Sequence, residues 1–292
     1  MIVCENCKRD QALNTEQTCY AATHLSILNI EGADSAKFLQ GQLSCDIMAL
    51  SHAQSSLAAF CTAKGRVISN MLVIKHPQGF YLILPQALSN KTQLQLQKYV
   101  LRAAVKISAA DEFVVLGVNN PQDVGECYVA AHPLSAELGW LICPQAQAPD
   151  QLGDADTWRL LEMSSGIVWL DENTSELYTP QMLNLDQLGG VSFSKGCYTG
   201  QEIVSRTHFL GQAKRCLALG VCQSISVSIG AKLLQRQDNA VLGEIIASLN
   251  QNQQTYLLLV AVNEISSLDC VLDDSARTAI NIIQFTTQKS SQ

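Results

Sequence analysis

Residues 24–42 read HLSILNIEGADSAKFLQGQ, and this stretch decides how the first half of the chain folds. The apolar run 24–30 predicts a strand, and a turn through Gly32 leads from it to Asp34. Aspartate is a favoured helix N-cap, because its side chain can accept a hydrogen bond from a free N–H of the first turn. The pattern therefore predicts a strand followed by a short helix from Asp34 to Gln42.

The residues that follow continue a ferredoxin-like pattern. Strands are predicted at 56–62, 67–75, 80–84 and 105–107, tight turns at 63–66 and 76–79, and a helix at 86–102. The resulting order of elements is β-α-β-β-α-β with one extra strand, which is the order of a ferredoxin-like domain.

A similar but less regular series comes next. Strands are predicted at 113–118, 127–131 and 138–143, and a helix at 156–165 with Asp156 as its N-cap. After Gly211, short strands at 216–222, 241–248, 255–262 and 280–285 are separated by Gly, Asn and Gln, which is typical of a small all-β barrel or sandwich. The sequence predicts an α+β chain with two ferredoxin-like halves, 1–110 and 111–208, followed by a small all-β barrel or sandwich, 209–292.

Charge and hydropathy exclude several classes of function. The formal net charge is -7, and charged residues make up 15% of the chain, below the usual quarter. An acidic chain lacks the basic surface with which proteins grip phosphates, so tight direct binding of nucleic acid is not expected. It also lacks a polybasic segment for anionic membranes and a long apolar run for a membrane span.

Eleven cysteines are unusual for a chain of 292 residues. Their number is odd and their spacing irregular, and no signal peptide is recognised at the N-terminus, so we expect a cytoplasmic protein with mostly free, buried thiols. Cys4, Cys7, Cys19 and His24 formally match the zinc-ligand spacing C-x2-C-x11-C-x4-H. An isolated spacing match is weak support, and no metal site is predicted.

The segment 195–202, KGCYTGQE, is the strongest candidate for chemistry. Its two glycines allow positive φ angles and close approach of the backbone to a neighbour. Lys195 lies two residues from Cys197, and if the two side chains converge, the ammonium would lower the pKa of the thiol. A helix after Gly200 would direct its N-terminus towards Cys197 with the same effect. The alternative is a turn around a structural cysteine.

The motif also carries a family resemblance. KGCYTGQE, together with Arg206 and 211–215 (GQAKR), closely resembles the signature of the YgfZ family of folate-binding proteins. Supporting stretches over most of the chain are 32–35 (GADS), 38–42 (FLQGQ), 63–66 (AKGR), 180–181 (PQ), 184–185 (NL) and 189–193 (GGVSF). That family is related to the aminomethyltransferase of the glycine cleavage system. The resemblance implies the same α+β fold, in which ferredoxin-like domains and a C-terminal β-barrel domain, here 209–292, surround a central folate channel.

The resemblance also implies a role. It points to a tetrahydrofolate-binding accessory factor, using tetrahydrofolate or a C1-substituted form, that assembles or repairs iron–sulfur client enzymes, including tRNA-thiolating enzymes. Lys195 and Cys197 are the implied functional pair. The residues assigned to the folate are Trp158, Tyr198, Gln201, Glu202 and Arg206, of which Glu202 and Arg206 are spaced to pair on a helix.

Two alternatives remain open at this point. Trp158 on the predicted helix can be a core residue, as most tryptophans are, instead of stacking on a folate ring. The protein can also be a folate-dependent aminomethyl or C1 transferase. Two family positions differ here, since Leu25 stands near the place of a second pocket tryptophan and Ser164 replaces a frequent glutamate two residues before Gly166.

Overall fold

A computed structural model describes residues 18–285, except 53, 122–126, 134, 212, 224–225 and 266–267. Cys4 and Cys7, the first half of the formal zinc pattern, lie outside the described residues. No helix in the described part of the chain is long and apolar enough to cross a membrane.

The described residues form fifteen strands, four α-helices and two short 3-10 turns. The strands are β1 (Cys19–Ala21), β2 (Leu25–Glu31), β3 (Ser55–Cys61), β4 (Val67–His76), β5 (Gly79–Pro85), β6 (Lys106–Ala109), β7 (Phe113–Asn119), β8 (Tyr128–His132), β9 (Ser135–Pro144), β10 (Arg215–Gln223), β11 (Lys232–Gln235), β12 (Val241–Gln251), β13 (Gln254–Val262), β14 (Cys270–Leu272) and β15 (Ala279–Gln284). The helices are α1 (Ser35–Gln40), α2 (Gln86–Gln97), α3 (Ala155–Ser164) and α4 (Gln201–Leu210).

The first sheet is five-stranded, with the order β3-β4-β5-β2-β6. Without β3, the order is that of a ferredoxin-like sheet, so β3 is the predicted extra strand. Leu28 and Ile30 on one face of β2 share a hydrophobic cluster with Phe38 of α1, while Ile27 faces the opposite side. The sheet is buried on both faces, which agrees with its nearly continuous apolar strands.

Three local predictions differ from the structure. Asp34 occupies the N-cap position of α1, but its carboxylate accepts a hydrogen bond from the amide of Ala104 at 2.7 Å instead of capping the helix. Helix α2 ends at Gln97 and not at residue 102. The N-cap of α3 is Asp154, which has an extended backbone and accepts a hydrogen bond from the amide of Thr157 at 2.9 Å, so the prediction of Asp156 as the cap was wrong.

The second sheet has four strands in the order β1-β7-β9-β8. Its strand β1 precedes the whole first sheet in the chain and pairs antiparallel with β7. The predicted boundary near residue 110 is therefore crossed by an N-terminal strand that belongs to the second sheet. The domain limits themselves stay a prediction.

The C-terminal strands close into a six-stranded barrel in the order β10-β13-β12-β11-β14-β15. Its closure selects the barrel over the sandwich, because each strand hydrogen-bonds to two neighbours and no edge remains. The two short strands β11 and β14 were not predicted. The barrel and both sheets contribute to one large hydrophobic cluster, in which Ile83, Trp158 and Leu258 are buried together. The three parts of the chain therefore meet at a common centre.

Candidate functional site

The KGCYTGQE segment interlocks with the turn between β3 and β4. Gly200 has a φ of 86° and begins helix α4, and a Cβ atom there would lie 2.5 Å from the carbonyl oxygen of Thr62. On the facing turn, Gly65 has a φ of 68°, and a Cβ atom would lie 2.9 Å from that of Ile203. Both positions require glycine because of backbone conformation and contact. The motif therefore packs against the first sheet, although it follows the second in the chain.

Lys195 joins the motif to the loop after α1. The side chain is buried, and its ammonium donates hydrogen bonds to the carbonyl oxygens of Leu43 at 2.8 Å and Cys45 at 2.7 Å. The ammonium also lies 5.1 Å from the ring centre of Tyr198, within the range of a cation–π contact. Burial lowers the pKa of Lys195 to about 8.

Cys197 lies on the surface, whereas the Lys195 ammonium points into the protein. The condition for an activated thiol, that these two side chains converge, is not met, because the ammonium is bonded to the two carbonyl groups. Glu202 and Arg206 are exposed on α4, and the ion pairs among the described residues do not include them. The motif thus presents an accessible thiol on a rigidly held turn.

Tyr198 and Gln201 occupy the inner part of the motif. The ring of Tyr198 is buried, and its hydroxyl has no hydrogen-bond partner among the described residues. Burial raises the pKa of this hydroxyl far above its ordinary value. The amide of Gln201 donates to the carbonyl of Tyr198 at 3.1 Å, which closes the turn into α4.

Trp158 is fully buried in the common core. Its indole stacks on Tyr20 with ring centres 6.0 Å apart and meets Trp140 edge to face at 6.1 Å. It lies against Gly117 of β7 so closely that a Cβ atom there would be 1.9 Å from the indole. This placement agrees with the core interpretation of Trp158 and not with the stacking one.

A cavity of about 160 Å³ opens where the two sheets and the barrel meet. Residues from all three parts line it, including His24, Glu162, Met163, Trp169, Ala247 and Leu258. Pockets for whole drug-sized ligands usually measure about 300–1,000 Å³, so this cavity suits the ring of a ligand. The lining does not include any of the site residues that were proposed from the sequence.

Buried polar groups with spare hydrogen-bonding capacity face this cavity. Glu162 is 2% exposed, and its Oε1 accepts a hydrogen bond from the indole Nε1 of Trp140 at 2.8 Å. Its Oε2 lies 2.9 Å from Nε2 of His24, within ion-pair distance, and no other contact satisfies either atom among the described residues. Among the same residues, Nε1 of Trp169 has no hydrogen-bond partner. Because buried polar groups are normally hydrogen-bonded, this arrangement indicates a place for a polar ring.

A larger cavity of about 500 Å³ lies between the β1–β2 connection and β7. Thr23, Ser26, Asp111 and Gln145 are among its polar lining residues. The described residues with unpartnered buried polar atoms are not part of its lining. The smaller cavity is therefore the better candidate for specific recognition.

Sequence reasoning missed His24, Glu162 and Trp169 as site residues. A signal was present, since Glu162 is a carboxylate of α3 only two residues before Ser164, the position at which the family pattern predicts a glutamate. Trp169 follows Gly166, whose φ of 78° turns the chain out of α3 towards the cavity. His24 was singled out only by the formal zinc-ligand spacing, which did not indicate this cavity.

Strand β4 connects the motif with the cavity. One end of β4 follows the turn that contacts Gly200. Asn70, further along β4, donates a hydrogen bond to the carbonyl of Val168 and accepts one from the amide of Leu170 at 3.1 Å. Val168 and Leu170 line the cavity. The surface thiol and the cavity are thus separate sites attached to the same strand.

Comparison with known proteins gives a consistent assignment. No family model matches the chain. The fold matches the glycine cleavage system aminomethyltransferase T from Bartonella henselae with a TM-score of 0.71, over 93% of this chain and 86% of that one, at 14% identity. The fold is therefore aminomethyltransferase-like, as predicted.

Sequence relatives are more specific. The tRNA-modifying protein YgfZ of Klebsiella pneumoniae (strain 342) is 32% identical over 89% of this chain and 90% of its own length. The protein of the same name from Yersinia enterocolitica is 30% identical, with 88% of each chain covered. Similarity of this extent spans most of the chain. The chain belongs to the YgfZ family of tRNA-modifying proteins.

Proposed function

We propose that this protein is a tetrahydrofolate-binding accessory factor for the assembly or repair of iron–sulfur proteins, including enzymes that thiolate tRNA. The observation that carries the folate part is the cavity in which Glu162 Oε2 contacts the His24 ring at ion-pair distance, while His24 Nδ1 and Trp169 Nε1 lack hydrogen-bond partners among the described residues. The family membership supports the connection with tRNA modification.

The residues of the cavity fit a reduced pterin ring. The pyrimidine edge of a pterin presents N–H donors, from which Oε2 of Glu162, now 2.9 Å from His24 Nε2, can accept, and a carbonyl acceptor, to which the indole N–H of Trp169 can donate. Apolar neighbours such as Met163, Ala247 and Leu258 exclude water around the ring. When bound, tetrahydrofolate would supply an amine centre that accepts or carries a one-carbon group.

Cys197 is proposed as the reactive group towards a client protein. Its thiol is exposed, so a partner can reach it, while the interlocked glycines hold the turn in place. One cysteine does not hold an iron–sulfur cluster alone, because clusters normally use four protein ligands. A cluster or sulfur species would therefore be shared with the client. Lys195 acts as a positioning residue through the carbonyl groups of Leu43 and Cys45.

The link to tRNA is proposed to run through the thiolating enzyme. The formal charge of -7 disfavours a broad electrostatic grip on RNA. Exposed Glu202 and Arg206 lie on the helix that follows Cys197 and are available to a protein partner. We also propose a cytoplasmic location, where client enzymes and reduced folates are present.

A folate-dependent aminomethyl or C1 transferase is the second candidate. Its support is the aminomethyltransferase-like fold and the presence of two carboxylates, Glu162 and Asp171, among the cavity residues, since such transfer needs an acid or base beside the folate amine. Formation of methylene-tetrahydrofolate from an aminomethyl donor at a catalytic rate would favour this function over the accessory role.

Calorimetric titration of tetrahydrofolate tests the cavity assignment. We expect Glu162→Gln and Trp169→Phe each to weaken binding by about tenfold or more, since one lost hydrogen bond to a charged or buried partner costs about 1.4 kcal/mol or more. Trp158→Phe is the matched control, because it changes a tryptophan of the core that does not line the cavity. Unchanged affinity in both cavity variants, with folding intact by circular dichroism, would refute the assignment.

A further inference from the structure

The second sheet carries a group of cysteines that the proposed function does not use. Cys19 of β1 is opposite Val118 of β7, and Cys143 of β9 is opposite Val114 of the same strand. Val114 and Val118 are on one face of β7, because side chains alternate along a strand. Both cysteines therefore share a face, and Cys127, just before β8, packs in the same cluster.

Cys127 and Cys143 are direct neighbours in this group. Tyr128 pairs with Ile142, so one further step along the antiparallel ladder brings Cys127 opposite Cys143. The two side chains are joined by a hydrogen bond. Residues directly opposite in an antiparallel pair have Cα atoms about 4.5–5.5 Å apart. That separation lies within the range of about 4.4–6.8 Å that disulfides span.

The two thiols differ in their access to solvent. Cys143 is 1% exposed, whereas Cys127 is half-buried at the start of the edge strand β8. Burial and the neighbouring Cys127 raise the pKa of Cys143 to about 11, which keeps its thiol protonated at neutral pH. An oxidant from solvent therefore meets Cys127 first, with Cys143 placed behind it as the second thiol.

We propose that Cys127 and Cys143 form a reversible disulfide, a redox site distinct from Cys197. A peroxide is the oxidant: the Cys127 thiol loses its proton, its sulfur attacks a peroxide oxygen, and the O–O bond breaks, so that Cys127 becomes a sulfenic acid and the leaving hydroxide takes up the proton as water. The Cys143 sulfur then attacks the sulfenic sulfur, which forms the S–S bond and releases a second water. The two thiols lose two electrons and reduce one peroxide, and a small dithiol restores them by exchange.

The disulfide would form on the side of β9 away from the cavity. Trp140, which binds Glu162, belongs to the central cluster, whereas Cys143 belongs to the outer one. The redox site is thus independent of the folate proposal, and oxidation is expected to leave tetrahydrofolate affinity unchanged. A loss of affinity that requires this disulfide would contradict the placement on opposite faces.

Peptide mapping of the full chain tests the proposal. Trypsin leaves both cysteines in one peptide, because no Lys or Arg lies between residues 107 and 158, so a glutamate-specific protease is used. Cleavage after Glu126 and Glu137 separates Cys127 from Cys143. After treatment with stoichiometric hydrogen peroxide and alkylation of free thiols, we expect these two peptides to be linked, and a dithiol to separate them.

Variants identify the pair. Cys127→Ser and Cys143→Ser are each expected to abolish the linked peptide, and Cys222→Ser, a buried thiol of the barrel, to retain it. In Cys143→Ser, dimedone is expected to label Cys127, which tests the first step even if the other variant folds poorly. The proposal is overturned if both cysteines of the oxidised wild-type chain remain alkylatable, or if Cys127 links to Cys19 instead.

Discussion

Replacement of Lys195 by methionine tests whether this side chain positions the motif or activates Cys197. Methionine keeps an apolar stem of similar length and removes the ammonium, with its hydrogen bonds to the carbonyl groups of Leu43 and Cys45. The two roles predict opposite dependences of stability on pH. The quantity to measure is therefore the difference in unfolding free energy between wild type and Lys195→Met, as the pH is raised through the alkaline range.

The magnitude follows from the lowered pKa of Lys195. Burial lowers the pKa of Lys195 from 10.5 to about 8. Because one pKa unit corresponds to about 1.36 kcal/mol, keeping the ammonium charged in the folded protein costs about 3 kcal/mol. Below pH 8 both the folded and the unfolded chain hold the proton, and the full cost applies. Above pH 10.5 neither holds it, and the cost is gone. Wild-type stability relative to the variant should therefore rise with pH between these values.

Urea unfolding at a series of pH values, with reductant present, measures this difference. Lys64→Met is the control, because Lys64 is exposed on the turn that faces the motif. The difference in unfolding free energy between this variant and wild type should change much less with pH. A wild-type stability that falls relative to Lys195→Met as pH rises would contradict the lowered pKa of Lys195. That result would mean that the folded protein raises the pKa of Lys195, as pairing with a thiolate such as Cys197 would do.

Three further outcomes are expected. Gly200→Ala should lower the unfolding free energy by about 1–3 kcal/mol, because a positive φ is costly for alanine and its Cβ would press on Thr62. Urea unfolding measures this change, and an unchanged urea midpoint would contradict the interlocked turn. Gly117→Ala should cost about 1–3 kcal/mol or more by overpacking against Trp158, visible as a lower melting temperature in calorimetry. Cys197→Ser should change the unfolding free energy by less than about 0.5 kcal/mol, since the side chain is exposed. The same variant should fail to restore tRNA thiolation in cells that lack the protein. Loss of soluble protein would instead indicate a structural thiol.

Local patterns predicted most elements of the first sheet and the barrel. Strand β4 matches its prediction because its long apolar run has no other stable location than a sheet buried on both faces. The end of α2 was misplaced because residues after Gln97 continue without a glycine or proline stop signal. The cap of α3 was misplaced because Asp154 and Asp156 are chemically identical, and only the extended backbone of Asp154 distinguishes them.

From the sequence alone, most strands and helices except β1, β11 and β14, the family, and the requirement for glycine at position 200 could be predicted. These features depend on the spacing of apolar side chains, on turn-forming residues and on short motifs. Each of them is specified by residues that are close together in the sequence. Only the tertiary structure decided the partners of Lys195, which lie 152 and 150 residues earlier in the chain. It likewise brought His24, Glu162 and Trp169 to one cavity, separate from Cys197. Such contacts depend on how three folded parts bury their apolar faces together, and no local pattern encodes that packing.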